Sequence, residues 1–145
     1  MKRDERIIRD LFIQAQDVEP VSQTARLTAA IYVSNRLVSV GHNTYKTSPF
    51  QARFAVFGKD VTCLHAEMMA IRNALQRVSV DELKRATLYV ARAKREYKAG
   101  PWVYGLAKPC QVCQHAIDTF DIRRIVYTTN ENTIEEIKRH EQHYN

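Results

Sequence analysis

Two residues separate Cys110 from Cys113, and far upstream a single residue separates His65 from Glu67. In the body of a helix, residues two apart diverge by about 200°, so His65 and Glu67 can address one point only from a helix end. Residues three apart lie on nearly the same face of a turn, so both cysteine sulfurs can serve one ligand. Each pair opens a segment with helical periodicity. A chain that uses all four together must bring two helix N-termini face to face. An open sheet whose helices begin beyond the carboxyl ends of its strands does this simply.

The rest of the chain supplies such a sheet. Ile7, Ile8, Leu11 and Phe12 give Met1 to about Ala15 one apolar helical face. Ala25 to Val33 and Leu37 to His42 are rich in β-branched and aromatic residues, and the Ser34-Asn35-Arg36 break suits a hairpin turn. The polar stretch from Asn43 to Pro49 and the aromatic one at Phe50, Phe54 and Phe57 form a connection of the length that usually carries function. Leu64, Met68, Ile71, Leu75 and Val78 then recur at the spacing of a helix buried along one side and starting near His65. Thr87 to Ala91 and Arg124 to Thr129 read as strands. Pro109 suits the first position of a helix running to Phe120, and Thr133 to His140 predicts a charged, amphipathic final helix. Helices and strands alternating after a hairpin predict a three-layer α/β/α sandwich around a mixed sheet.

Composition narrows the setting. A chain of 145 residues makes one domain, 1–145, and buries about two-thirds of the surface it exposes when unfolded, so a metal is not needed to build its core. The most apolar stretch, Leu27 to Val40, carries Arg36 and falls short of the ~20 residues that span a bilayer. The basic Met1 to Arg9 segment leads into no sustained apolar run, so no secretory signal is read and a cytoplasmic protein is expected. Without a secretory signal, an odd set of three cysteines with two closely spaced favours a metal site or redox chemistry over disulfides. The net charge of +6 points weakly to phosphate-bearing partners.

Two thiolates and an imidazole favour zinc over magnesium or calcium. Three protein ligands leave tetrahedral zinc one open position, the arrangement of a catalytic site, and leave Glu67 free to move protons. His65-Ala66-Glu67 followed by Pro109-Cys110-x-x-Cys113 resembles the signature of the zinc-dependent cytidine and deoxycytidylate deaminase superfamily. The resemblance in order and type of elements runs from about Ala25 to Thr129. It implies a cytidine deaminase-like fold with a five-stranded type of sheet. It further implies one zinc ion on His65, Cys110 and Cys113, with Glu67 as the proton shuttle. The backbone N–H of Ala66 would be a donor to the base, and Asn43 would hold the sugar. A cytosine nucleoside or nucleotide would become the uracil product with loss of ammonia, deoxycytidylate being the first substrate to test. Relatives form homo-oligomers, so one is expected here.

The departures bear on the substrate. Asn43 is followed by Thr44-Tyr45-Lys46 where deoxycytidylate deaminases carry Gly and a Gly-x-Pro turn, and Arg92 to Lys108 intervenes between the strand and Pro109. Lys46 and Trp102 join the candidate substrate-binding residues, Lys46 for a phosphate and Trp102 for a base, although a loop lysine is ordinarily solvated and a tryptophan ordinarily packs. Bacterial tRNA adenosine deaminases resemble His65 to Ala70 closely, so a base in tRNA or single-stranded nucleic acid is the alternative substrate. A non-catalytic zinc module of the same fold is the alternative from another class. The cysteine pair alone would also suit a redox site, and Cys63 would complete a closed structural zinc site if it were a fourth ligand. His115 reads as a packing residue, and His140 and His143 as part of a polar tail.

Overall fold

A computed structural model describes residues 2–21, 25–55 and 63–139. β1 (Leu27–Val33) and β2 (Arg36–His42) form the expected antiparallel hairpin, with Val33 paired to Arg36 across a turn in which Ser34 takes a left-handed φ of 56°. β3 (Ala86–Lys94) lies antiparallel to β1. On its other flank, Thr87 to Val90 pair in parallel with β5 (Arg124–Thr128), and Arg92 to Lys94 pair with the short β4 (Val103–Gly105). β6 (Ile134–Lys138) closes the order β2-β1-β3-β5-β6.

Strand alternation divides the core in two. Ala29, Ile31, Leu88, Val90 and Ile125 face α3 (Ala66–Ala74) and α5 (Gln111–Thr119), whereas Ala30, Tyr89, Ala91 and Val126 face α1 (Lys2–Ala15). This is the three-layer α/β sandwich that the sequence predicts. Two short helices add to it. α2 (Pro49–Ala52) sits inside the long connection, and α4 (Val80–Leu83) is started by a capping box between Ser79 and Glu82. Among the described residues no helix is long and apolar enough to cross a membrane.

The sheet has six strands, one more than the resemblance implies and two more than the four read from the residue pattern. Thr133 to His140 does not form the expected helix. Ile134 and Ile137 are spaced like one helical turn, yet they lie on β6, which pairs residue for residue with β5 from Ile134↔Thr128 to Arg124↔Lys138. Pairing the N–H and C=O groups along that edge of β5 outweighs the helix preference of Glu and Lys; His140 lies outside the described residues. The second added strand is β4. The segment after Ala91 is not a loose insertion: β3 continues to Lys94, and β4 returns along it as a hairpin arm. Thr128 ties that arm down, donating from Oγ1 to the Gly105 carbonyl at 2.6 Å and accepting from the Arg92 N–H at 3.1 Å.

Candidate active site

β2 sets the height of α3. Ser39 Oγ donates to the Ala70 carbonyl at 2.7 Å, and Gly41 faces the first turn so closely that a Cβ there would meet the Ala66 carbonyl at 2.4 Å. Only glycine admits such an approach of strand to helix backbone. α3 therefore begins at the sheet's edge, with His65 as its N-cap in extended conformation and no side-chain cap bond. Cys110 is the N-cap of α5, again extended and again without a side-chain cap bond. The sequence expectation put Pro109 inside this helix, but it precedes the cap.

Residues with poor capping chemistry hold both caps because their side chains turn to each other. His65 Nδ1 lies 3.2 Å from Cys113 Sγ and 3.5 Å from Cys110 Sγ, and the three donor atoms all fall within 4.8 Å of one another. Tetrahedral zinc with ordinary Zn–S and Zn–N lengths separates nitrogen from sulfur by about 3.5 Å, so the donor set fits that ion. Protonation tells the same story. The Cys110 thiol is pushed down to about 3, foremost by the hydrogen bond from Cys113 and also by His65. Cys113 is raised well above 9.0 by its bond to Cys110 and by burial, and His65 is raised by its bond to Cys110. The three share protons because they are too close to be independent, and a cation bound there would take the place of those protons. Cys63 does not join this cluster.

Glu67, in the first turn of α3, is 4% exposed, and burial raises its carboxyl above the ordinary 4.5. Ala66 is buried beside it at the first helical position, where backbone N–H groups lack a partner within the helix. Asn43 lies at the exit of β2, buried. Its Oδ1 accepts from Leu27 N and its Nδ2 donates to the Ala25 carbonyl, both at 2.8 Å, so the side chain pins the start of β1. Lys46 is exposed in the following loop. Trp102 lies between two guanidiniums, 4.2 Å from Arg95 Cζ and 5.1 Å from Arg26 Cζ, which makes it the packing centre of the basic hairpin.

Sequence reasoning missed Gln51. This fully buried side chain on α2 donates to the Cys63 carbonyl at 2.5 Å and accepts from the His65 N–H at 2.8 Å, fixing the backbone that aims the imidazole. Aromatic packing of Phe50 and Phe54 on Phe120 of the α5 C-cap, at 6.1 and 6.0 Å, holds α2 in place, and His115 packs edge-on against Phe54 at 5.6 Å. The phenylalanines were legible as an aromatic run; a lone glutamine between them gave no signal.

Residues 1–129 match the cytidine and deoxycytidylate deaminase zinc-binding region. None of the curated proteins matches the sequence. Three solved structures share the fold at low identity. Cytidine deaminase from Burkholderia pseudomallei has a TM-score of 0.62 at 14% identity over 94% of this chain and 92% of its own. dCMP deaminase from the cyanophage S-TIM5 has a TM-score of 0.58 at 16% identity over 88% and 83%, and that enzyme is also known in complex with dCMP and dUMP. RibD from Acinetobacter baumannii has a TM-score of 0.53 at 17% identity, over 88% of this chain and 28% of the longer protein. With two helix starts presenting an imidazole and two cysteine sulfurs to one point beside a buried carboxyl, and the family's zinc-binding region matched over residues 1–129, the chain belongs to the cytidine and deoxycytidylate deaminases.

Proposed function

We propose that the chain, as a single catalytic domain over 1–145, hydrolyses the exocyclic amine of cytosine in a nucleoside or nucleotide, with deoxycytidylate the preferred substrate. The observation that carries this reading is the buried Glu67 carboxyl beside the His65, Cys110 and Cys113 donors. A zinc ion held by those three supplies Lewis acidity that makes water a nucleophile near neutral pH. Glu67 takes one proton from the attacking water and passes it to ring N3, then takes the second from the hydroxyl formed on C4 and delivers it to the departing amine. The C4–N bond breaks, a C4–O bond forms, and water plus cytosine yield uracil plus ammonia. The Ala66 N–H holds the base and Asn43 orients the sugar while keeping its grip on β1. The protein works in the cytoplasm as a homo-oligomer.

Mass spectrometry of the zinc-loaded protein with deoxycytidylate, cytidine and deoxycytidine, together with ammonia release, tests this reading. Conversion to uracil products with about one zinc per chain supports it. No turnover on any of a panel of cytosine, adenine, guanine and pterin amines at full zinc loading refutes it in favour of a non-catalytic module. Cys63→Ser should leave zinc content unchanged, whereas Cys113→Ser should lose the metal. A second reading, a base in tRNA or single-stranded nucleic acid, draws on the +6 charge and the basic β3–β4 hairpin; its mark is oligonucleotide binding that collapses with added salt.

A further inference from the structure

The sheet ends beside the zinc-ligand cluster in a row of residues that share one face. The Asn43 N–H donates to the Leu27 carbonyl at 3.3 Å, Leu27 pairs with Arg92, and Arg92 pairs with Gly105. One row further in, Gly41 and Val90 flank Ala29, and Gly41 is the residue that meets the Ala66 carbonyl. Opposed residues on paired strands, and residues two apart on one strand, point to the same face. Arg92 therefore projects on the side where α3 begins, about two strand spacings or ~10 Å from Asn43.

A guanidinium is charged at every working pH. That of Arg92 has its Nε buried without a hydrogen-bond partner, and among the described residues no carboxylate pairs with it. Its neighbours differ. Arg26 donates from Nε to the Val18 carbonyl at 3.1 Å and lies over Trp102, Lys94 donates to Asn130 at 3.1 Å, and Arg95 also stacks on Trp102. Gly105 clears the space that the Arg92 stem occupies, because a Cβ there would stand 2.8 Å from Arg92 Cδ. A cation kept unpaired, with one donor desolvated and a glycine opposite it, is poised for an anion with several acceptor oxygens.

We propose that Arg92 is the anion receptor of this site and takes the phosphate of a nucleoside monophosphate. The proposal rests on the deaminase reading above and adds to it the residue that selects nucleotide over nucleoside. Binding without turnover tests it. Isothermal titration of the zinc-loaded protein should show deoxyuridylate preferred over deoxyuridine by about 10–100-fold, the value of a charge-assisted contact, and Arg92→Gln should erase that preference. Arg92→Lys keeps a point charge without the planar fork and should give an intermediate ratio. Gly105→Ala keeps the charge but displaces its stem and should lower the ratio too. Circular dichroism reports which variants fold; if Arg92→Gln does not, Arg92→Lys decides, an intermediate ratio supporting the proposal and a parental ratio overturning it. A parental ratio in folded Arg92→Gln likewise overturns it. A single-stranded oligonucleotide that outcompetes deoxyuridylate, and loses that advantage in Arg92→Gln, transfers the receptor to a phosphodiester and overturns the monophosphate assignment. If neither uracil compound binds and no cytosine is deaminated, the deaminase reading fails separately. Inorganic phosphate binding that depends on Arg92 then upholds the anion site, and phosphate binding that ignores Arg92, or none, removes it.

Discussion

Asp4 and Glu67 are both nearly closed off from solvent, 5% and 4% exposed, on opposite faces of one sheet, and their carboxyls move in opposite directions. For Asp4, burial is the largest single influence and pushes the pKa up, but hydrogen bonds from Arg124 and Tyr89 and the charge of Arg124 together reverse it. Tyr89 Oη donates at 2.7 Å and Arg124 Nη1 at 3.0 Å, and the same guanidinium also reaches Glu136 on β6. For Glu67, burial again comes first, and among the described residues no cation of fixed charge answers it; its neighbours are an imidazole and thiols that share protons among themselves. Burial sets how much a carboxylate has at stake, and the partner decides the sign. One face uses its acid to fasten α1 to β5 and β3. The other leaves its acid able to take up and give back a proton.

The sharpest way to break that contrast is Glu67→Gln, which keeps the shape and removes the proton. Turnover should fall by about 10²–10⁴-fold or more, with zinc content by atomic absorption unchanged, since Glu67 is not among the clustered ligands. Near-normal turnover would show that the carboxyl does not shuttle protons. The counterpart on the other face is Arg124→Met. It strands the Asp4 carboxylate with Tyr89 alone and should cost about 3–5 kcal/mol in urea unfolding, while turnover per folded molecule, measured well below the denaturation midpoint, stays near the parental value. A loss of turnover without a loss of stability would mean that the two faces are not independent.

How far this contrast was legible in the sequence differs between the faces. His65, Glu67, Cys110 and Cys113 stood out because few chemistries need those residue types at that spacing, and the structure brings the three metal donors to one point. Asp4, Arg124 and Glu136 carry no such mark: each is a charged residue on an amphipathic element, and only the pairing of β5 with β6 and the docking of α1 join them. Ile134 to Lys138 shows why. Its period fits a helix as well as a strand, so its state is fixed by the edge of β5 beside it. Gln51 and Gly41 were hidden for the same reason, since each matters only through a backbone that arrives from elsewhere in the chain. Trp102 was visible, but its two arginine neighbours were not.

The mildest test uses pH. In the fold Asp4 ionises below its ordinary 3.8, so its contribution to stability is present above that value and is lost as pH falls through the folded value. Glu67 in the fold holds its proton above the ordinary 4.5, so its contribution is present below 4.5 and is lost as pH rises through the folded value. Each group can tilt stability by at most about 1.4 kcal/mol per pH unit, the slope for one proton, and the tilts have opposite sign. Urea melts of chelator-treated protein from about pH 3 to 8 should therefore separate the two variants. Asp4→Asn should flatten the acid limb of the stability curve, and Glu67→Gln should flatten the decline towards neutrality, leaving that variant more stable than the parent near pH 7. If both substitutions moved the same limb, the two carboxyls would be titrating alike, and the idea that their partners set opposite roles for them would be wrong.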